Sequence, residues 1–223
     1  MQNHFLSREE ARHFYDHFGK KQDWQRFYES PAIEQLISNS NFDESKSVFE
    51  LGCGTGAFAL ALLENHLPRS ASYFGVDIST TMIKLSRHRL SPYKERIELH
   101  LTDGILPFEV PDASFDRFVS NYVLDLLPPE DIKNLLQEAH RMLKPGGKLC
   151  LVSLTHGRGF FSHSLTTAWN FIQRLKPSLV GGCRPIELLN FISLQKWKID
   201  FQRVVNTYGI PSEIIVATKL ASS

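Results

Sequence analysis

The sequence at residues 48–57 reads VFELGCGTGA, an apolar run that leads into three glycines at alternate positions. Its first four residues are typical of a short buried strand, and a helical pattern begins directly after the last glycine. Because glycine has no Cβ, a ligand can approach the bare backbone of such a turn. The helix that follows presents free N–H groups and a partial positive charge to that ligand. The stretch therefore predicts a strand, a ligand-binding turn and a helix.

The spacing of these glycines differs from the dinucleotide-binding pattern G-x-G-x-x-G, which holds a pyrophosphate. Here the third glycine comes one residue early, and Glu50 stands two positions before Gly52. A carboxylate at this place would repel a pyrophosphate, whereas it suits a ligand that carries an ammonium group. The pattern E-x-G-x-G-x-G at a strand end resembles motif I of the class I S-adenosylmethionine-dependent methyltransferases.

Later segments follow the order found in the same family. A second apolar strand at 72–77 ends in Asp77, which lies 21 residues after Gly56. In nucleotide-binding α/β folds, an acid about 20 residues after the glycine turn binds ribose hydroxyls. Two further strands and a Lys-Pro-Gly-Gly turn into a fifth strand occupy residues 97–101, 115–120 and 144–154. Together these segments resemble the methyltransferase family over residues 45–155.

The resemblance implies an α/β fold, a Rossmann-like doubly wound seven-stranded sheet with an antiparallel last strand, preceded by N-terminal helices. The alternation of strands and helices along the chain independently favours a parallel, doubly wound sheet. Two alternating segments at 198–207 and 213–219, joined by residues 208–211, predict a hairpin at the end of the sheet. The hairpin matches the antiparallel last strand of the family.

Residues 1–45 precede the first strand and are predicted to be a helical lid segment. Ser7 opens a capping box, which predicts a helix from about residue 8 to 18. Ser30 before Pro31 predicts the start of another helix. The density of aromatic residues permits two interpretations, namely packing onto the sheet edge or a lid over the cofactor and substrate. In similar methyltransferases the segment before the sheet often closes the site.

Residues 46–223 are predicted to form the methyltransferase domain. Within it, residues 156–190 are an excursion on the substrate side, with a helix at about 162–175. This excursion is too long for a simple crossover connection. It is rich in aromatic residues, as are the N-terminal helices. Both segments are predicted to meet above the carboxyl ends of strands four and five.

The resemblance implies that the cofactor is S-adenosylmethionine, which carries an ammonium, a sulfonium and an adenosine. Ligands in open α/β sheets bind outside the carboxyl ends of the strands, where each of the motifs falls. By resemblance, Glu50 lies near the ammonium, Asp77 binds the ribose hydroxyls and Ile78 lies on the adenine. Asn121 flanks the methionine part through its backbone. The other implied cofactor contacts are the glycine turn, Gly52, Cys53, Gly54 and Gly56, and the adenine amino site, Asp103 with Gly104.

No acid–base pair is evident as catalytic machinery. A sulfonium is already an activated donor, and orientation of donor and acceptor can supply most of the acceleration. His156, at the end of the fifth strand, is the best-placed candidate for a base or a substrate contact, although a lone histidine is more often structural. Further candidate bases are Tyr122, Asp125 and His163. The candidate substrate-binding residues are Tyr15, Tyr28, Tyr122 and His156.

Composition limits the class of protein and its partners. The chain has 223 residues, 42% hydrophobic content and a net charge of +1. This length suits one α/β domain, and the lack of a basic block argues against a nucleic-acid partner. The longest apolar run, 57–63, is too short to cross a bilayer, and the three cysteines follow no metal-ligand spacing. We therefore expect a cytoplasmic protein with no metal and no integral membrane segment. The oligomeric state is left open.

The predicted function is methyl transfer from S-adenosylmethionine to a small acceptor that is apolar or aromatic, because pockets for small molecules are mostly apolar. An alternative is a methyltransferase-like module that binds the cofactor and regulates or scaffolds another protein. The intact pattern of Glu50, the glycines and Asp77 argues against that alternative. A third hypothesis is a nicotinamide-dependent oxidoreductase, which the early third glycine disfavours.

Overall fold

The computed structural model describes residues 5–156 and 183–221. Seven strands from these residues form one sheet. The helices are α1 Arg8–Phe18, α2 Arg26–Asn39, α3 Ala57–Asn65, α4 Thr80–Arg89 and α5 Pro129–Met142. The strands are β1 Ser47–Leu51, β2 Ser72–Asp77, β3 Ile97–Leu101, β4 Phe115–Asn121, β5 Leu143–Leu154, β6 Trp197–Thr207 and β7 Ile210–Lys219. Short 3₁₀ helices include Gly19–Gln25 and Leu124–Leu126.

The strands lie in the order β3-β2-β1-β4-β5-β7-β6. The first five strands along the chain pair in parallel, whereas β7 runs antiparallel to both β5 and β6. The predicted fold class, a doubly wound seven-stranded sheet with an antiparallel last strand, is confirmed. The strand order reverses between β1 and β4, so their carboxyl ends border the switch point at which ligands bind in such sheets.

The β6–β7 hairpin is tighter than predicted. Its turn consists of Tyr208 and Gly209, whose φ angles are 53° and 84°. Positive φ at both central residues is typical of a type I′ turn, whose twist matches that of the flanking strands. Ile210 and Pro211, predicted as part of the turn, already belong to β7.

Alternate residues of the central strands contribute to two hydrophobic cores. Phe49 of β1 and Phe118 of β4 pack with Leu135 on the face covered by α5. Val48 and Val119, one position away, pack on the face covered by α2, α3 and α4. Because successive side chains of a strand point to opposite faces, both faces of the sheet are buried. This packing fixes the carboxyl ends of β1 and β4, which carry the candidate site.

The N-terminal segment confirms one predicted helix start and corrects another. Ser7 Oγ accepts the Glu10 N–H at 3.2 Å and Glu10 Oε2 accepts the Ser7 N–H at 2.8 Å, so the capping box of α1 is formed. The predicted helix start at Ser30 and Pro31 is wrong, since both residues lie inside α2. The 3₁₀ helix Gly19–Gln25 continues directly into α2, so the helix begins before Pro31. The proline then removes one helical N–H without ending the helix.

Several sequence-based expectations concern residues outside the described part of the chain. These are the helix at 162–175, His163 and most of the excursion at 156–190. The described chain resumes before β6, where the Ile186 N–H donates to the Leu154 carbonyl at 2.9 Å. Within the described residues, no helix has the length and apolar character needed to span a membrane.

Candidate functional site

A cavity of about 790 Å³ lies at the carboxyl ends of the parallel strands. Its volume falls in the range of small-molecule sites. The sheet side of its wall consists of Gly52 after β1, Asp77 and Ile78 at the end of β2, Gly104 after β3, and Asn121 of β4. The N-terminal segment, the loop after β3 and the first turns of α5 form the other walls. The cavity therefore occupies the switch point of the sheet.

The glycine turn after β1 is held against β2 by its backbone. The N–H groups of Gly52 and Cys53 both donate to the Val76 carbonyl, at 2.8 and 3.0 Å. Gly52 has a φ of 73°, and a Cβ on it would lie 2.4 Å from Val123 Cγ2. A larger residue at Gly52 would be strained and would also clash with the loop after β4. Gly56, by contrast, packs against α4.

Asp77 joins the glycine turn to the start of α4. Its Oδ2 accepts the Gly54 N–H at 2.9 Å, and its Oδ1 accepts the Ser79 N–H at 2.8 Å. Burial raises the pKa of Asp77 to about 6, although these backbone hydrogen bonds oppose the rise. Each carboxylate oxygen can accept more than one hydrogen bond. Asp77 can therefore stabilise the turn and still receive a hydrogen bond from a ligand in the cavity.

Glu50 is buried in the middle of the sheet, directly behind the cavity wall. It is 2% exposed, and its Oε2 accepts the Tyr73 hydroxyl proton. Asn121, which does line the cavity, donates from Nδ2 to Glu50 Oε1 at 3.5 Å. Burial raises the pKa of Glu50 to about 8, against the opposing effect of these two hydrogen bonds. At neutral pH this environment therefore favours the protonated carboxyl group of Glu50.

Gln22, in the 3₁₀ helix Gly19–Gln25, is part of the cavity wall and was not predicted from the sequence. Its Oε1 lies 2.9 Å from the position that a Cβ on Gly54 would take, so Gly54 makes room for this side chain. Gln22 Oε1 is buried and accepts no hydrogen bond from a described residue. The same is true of Asn121 Oδ1. Two unsatisfied amide oxygens thus belong to residues that line the cavity.

Asp23 attaches this part of the N-terminal segment to the rest of the domain. Asp23 Oδ2 forms an ion pair with Arg89 Nη2 at 2.6 Å, and Asp23 Oδ1 accepts the Thr55 hydroxyl proton at 2.6 Å. Arg89 Nη1 also donates to the Thr55 carbonyl at 3.1 Å. Asp23, Arg89 and Thr55 therefore connect the 3₁₀ helix, α4 and the glycine turn.

The helix α1 is attached to α4 at a second point. Asp16 Oδ1 accepts the Ser79 hydroxyl proton at 2.6 Å and the Thr81 N–H at 3.0 Å. These hydrogen bonds lower the pKa of Asp16, although its partial burial acts in the opposite direction. Arg12 Nε donates to the Ile78 carbonyl at 3.2 Å. As a result α1 lies across the ends of the strands and forms one wall of the cavity.

Tyr122, directly after β4, lines the cavity. Tyr122 has a φ of 55°, which is unusual for a residue with a Cβ and is frequent at functional sites. Its N–H donates to the Val152 carbonyl at 2.8 Å, and its hydroxyl donates to Ser212 Oγ at 2.9 Å. The ring of Tyr28 packs edge-on against Tyr122, with 6.1 Å between the centroids. Tyr15 of α1 also lines the cavity.

The structure divides the predicted site residues into two groups. Those in the cavity wall are Gly52, Asp77, Ile78, Gly104, Asn121, Tyr15 and Tyr122. Those outside it are Glu50, Cys53, Gly54, Gly56, Asp103, Tyr28 and His156. His156 and Asp103 are both exposed, and Asp103 Oδ1 accepts the Ile105 N–H at 2.9 Å. The roles expected for all of these residues stay predictions.

Residues 48–147 match the family model described as a methyltransferase domain. The tRNA N(3)-methylcytidine methyltransferase Mettl2 of Drosophila melanogaster is 33% identical over 137 residues, which are 59% of this chain and 41% of that protein. The demethylmenaquinone methyltransferase of Tropheryma whipplei strain Twist is 35% identical over 115 residues, 52% of this chain and 44% of that protein. The chain thus spans less than half the length of these curated relatives.

A solved structure shares the architecture. The N-methyltransferase NodS from Bradyrhizobium japonicum WM9, in complex with S-adenosyl-L-homocysteine, aligns with a TM-score of 0.71 and 18% identity. The alignment covers 94% of this chain and 98% of that one. At this level of identity the likeness shows a common fold.

Proposed function

We propose that the chain, whose residues 48–147 match a methyltransferase domain model, is a class I S-adenosylmethionine-dependent methyltransferase and transfers the methyl group of that cofactor to a small apolar or aromatic acceptor. The observation that carries the proposal is the cavity at the switch point, where a bare glycine backbone and two residues with unsatisfied amide oxygens line the wall and the buried Glu50 carboxyl group lies behind Asn121. A nicotinamide dinucleotide would require a pyrophosphate site, which the early third glycine and the nearby Glu50 disfavour.

The residues of the cavity fit S-adenosylmethionine. Buried polar atoms are normally hydrogen-bonded, so the free oxygens of Gln22 and Asn121 favour a ligand that donates hydrogen bonds. The ammonium group and the ribose hydroxyls of the cofactor are such donors. Gly52 and Gly104 leave the backbone accessible where a Cβ would narrow the cavity.

We assign the amino-acid end of the cofactor to the β1–β4 side of the cavity. Gln22 Oε1 and Asn121 Oδ1 would accept hydrogen bonds from the ammonium group, with the Glu50 carboxylate behind Asn121 as the opposite charge. Charge-assisted hydrogen bonds of this kind are about twice as strong as neutral ones. This assignment adds Gln22, from the N-terminal segment, to the residues that the sequence predicts to contact the cofactor.

The adenosine end is assigned to β2 and β3. Asp77 would accept hydrogen bonds from the ribose hydroxyls, and Ile78 supplies an apolar surface for the adenine. Gly104 lines the same cavity without contributing a side chain. Asp103 is exposed, and one of its oxygens already accepts a backbone N–H, so we expect it to contribute less than Asp77.

The bound cofactor supplies an activated methyl group on a sulfonium. The residues of the chain then have to hold the acceptor in line with that methyl group and exclude water. Orientation of this kind is worth roughly 7–11 kcal/mol in favourable cases. Tyr15 from α1 and Tyr122, directly after β4, line the cavity and would position an apolar or aromatic acceptor. α1 separates the reacting groups from solvent.

The direct test is a comparison of ligands and acceptors. Calorimetry should show binding of S-adenosylmethionine and no binding of NAD. Methyl transfer to small acceptors should then increase in kcat/KM with their apolar surface. Binding without turnover on any acceptor would favour the regulatory module. Transfer to tRNA alone, the substrate named for the Drosophila relative, would show that the acceptor assignment is wrong.

Cofactor binding is expected to depend on pH because Glu50 must ionise to pair with an ammonium. Burial raises the pKa of Glu50 to about 8, so at pH 6 to 7 binding should release a proton from this carboxyl group. Affinity should therefore rise as the pH increases from about 6 to 8. Above that range the cofactor's own α-amino group, with a pKa of about 7.7–8.0, loses its charge and the affinity should fall. Calorimetry in buffers of different ionisation enthalpy measures the released proton.

Glu50→Gln is the matched variant for this prediction. It should lower the affinity about tenfold at pH 8, on the scale of a hydrogen bond to a charged group, and it should abolish the proton release. It should also weaken the dependence of the Tm on pH. Because burial raises the pKa of Glu50 from 4.5 to about 8, its contribution to stability is present at low pH and lost as the pH rises through 8. The Tm of the wild type should therefore fall more steeply than that of Glu50→Gln between pH 5 and 9. Parallel curves would contradict the buried carboxyl group as the titrating group.

A further inference from the structure

The loop between β3 and β4, residues 102–114 of the described chain, contains no helix or strand and contributes a wall of the cavity. Its side chains Leu106 and Phe108 line the cavity and also pack against the hydrophobic core on the α5 face. Connections of this length without secondary structure are uncommon in compact domains, and many of them are functional. The position of this wall therefore depends on contacts with other elements.

Two side chains of α5, Glu138 and Arg141, hold the middle of this loop. The Phe108 N–H donates to Glu138 Oε1 at 2.8 Å, and Arg141 Nη2 donates to the Phe108 carbonyl at 3.2 Å. Arg141 Nη1 also donates to the Val110 carbonyl at 2.9 Å. The peptide groups on both sides of Phe108 are therefore fixed to the same helix.

Glu138 and Arg141 also fix each other. Arg141 Nε donates to Glu138 Oε2 at 2.9 Å, and Arg141 Nη2 donates to Glu138 Oε1 at 2.7 Å. Such bidentate, charge-assisted pairs add geometric precision as well as strength. Glu138 is 7% exposed, whereas Lys133 and Glu130, an ion pair on the same helix, are both exposed. The shielded pair is thus the better support for the loop, because exposed ion pairs contribute little.

We propose that Arg141, through its pair with Glu138, is a positioning residue for the adenine of the cofactor, because it fixes the loop wall against which the base would lie. The proposal rests on the proposed function, in which the adenosine end of the cofactor is assigned to β2 and β3. Neither side chain lines the cavity, so the effect passes through the backbone of Phe108 and Val110. A wall that is in place before the ligand binds does not have to be ordered on binding, which increases the affinity.

The place of the loop determines which part of the cofactor is affected. The loop follows β3, whereas Gln22 and Asn121, assigned to the ammonium group, lie on the β1–β4 side of the cavity. Loss of the Arg141 contacts should therefore weaken the binding of ligands that carry the base and spare a ligand that lacks it.

The test compares S-adenosylhomocysteine with two smaller ligands by calorimetry and NMR titration. Adenosine keeps the base, whereas S-ribosylhomocysteine keeps the ribose and the amino acid and lacks the base. In Arg141→Gln we expect the affinities for S-adenosylhomocysteine and adenosine to fall about tenfold, the scale of lost hydrogen bonds to a charged group. The affinity for S-ribosylhomocysteine should be unchanged. Lys133→Gln, at an exposed position of the same helix, is the matched control and should change none of the three affinities.

A purely structural role predicts a different pattern. It would lower the folded fraction of Arg141→Gln and hence all three apparent affinities by the same factor. An equal loss for the three ligands, or wild-type affinity for S-adenosylhomocysteine in this variant, would overturn the proposal.

Arg141→Lys covers the case in which Arg141→Gln does not fold. Lysine keeps the charge beside Glu138, but its compact ammonium cannot reproduce the planar fork that reaches the carbonyls of Phe108 and Val110. We expect the same pattern, a loss for S-adenosylhomocysteine and adenosine and none for S-ribosylhomocysteine. Wild-type affinity of Arg141→Lys for all three ligands would contradict the role of the guanidinium fork.

Amide exchange in the wild type tests the proposal without a variant. The Phe108 N–H should exchange slowly before any ligand is added, because it donates to the buried Glu138 carboxylate. Exchange at the rate of a free amide would show that the wall is not fixed in advance and would overturn the proposal. Failure of the proposed function is separate, since it appears as failure of the wild type to bind S-adenosylhomocysteine at all.

Discussion

Asp77→Ala is expected to weaken binding of S-adenosylhomocysteine by roughly 10- to 100-fold, the scale of a lost hydrogen bond to a charged group. The structure adds a second effect to the loss of the ribose acceptor. Asp77 accepts the N–H groups of Gly54 and Ser79, and both donors would lose their partner. The glycine turn and the start of α4 would then be less firmly held. We therefore expect a lower Tm together with the lower affinity, measured by thermal unfolding and by calorimetry.

Asp103→Ala is the matched control, because Asp103 is also an acid after the end of a strand. It is exposed, and its one described hydrogen bond is from the Ile105 N–H to Oδ1. We expect a change of about fivefold or less in affinity and no change in Tm. If Asp77→Ala bound S-adenosylhomocysteine as tightly as the wild type, or if Asp103→Ala lowered the affinity more than Asp77→Ala, the ribose assignment would be wrong.

The sequence predicted the sheet well because its central strands are buried on both faces. Segments such as residues 72–77 and 97–101 are bounded by turn residues, and the structure places β2 and β3 at those positions. Ser7 was identified as a helix cap from a local pattern, and it forms the expected hydrogen bond. Ser30 was misassigned, because the helix it was expected to start had already begun in the preceding 3₁₀ turn.

The site was harder to predict from the sequence because much of it depends on contacts between residues that are far apart along the chain. Gln22 meets Gly54 across 32 positions of sequence, and a single glutamine carries no pattern that identifies such a contact. Asp125 was named only among candidate bases, since an acid between leucines is usually exposed. Its complete burial is visible only in three dimensions. Glu50 could be predicted by resemblance, whereas its hydrogen bond from Tyr73 and its raised pKa could not.

Deleting residues 1–25 is expected to reduce the affinity for S-adenosylhomocysteine by at least 100-fold while the sheet remains folded. α1 contains no buried residue, and the buried core begins at Ala32 in α2, so the deletion removes little of the packing that stabilises the domain. The same segment nevertheless supplies one wall of the cavity, including Tyr15 and the unsatisfied amide oxygen of Gln22. Loss of that wall opens the site to water and weakens every electrostatic contact in it.

Point variants test whether the hydrogen bonds that attach α1 to α4 are needed for cofactor binding. Asp16→Ala removes the hydrogen bonds from Ser79 and Thr81 that hold α1 on α4, and it should lower the affinity by about tenfold at nearly constant Tm. Glu9→Ala, on the exposed side of the same helix, is the control and should change neither quantity. Wild-type affinity in the deletion variant would show that the segment is no lid. If the deletion variant instead showed a large fall in Tm and lost affinity only because it unfolds, the segment would act by packing onto the domain. That is the other interpretation of its aromatic residues.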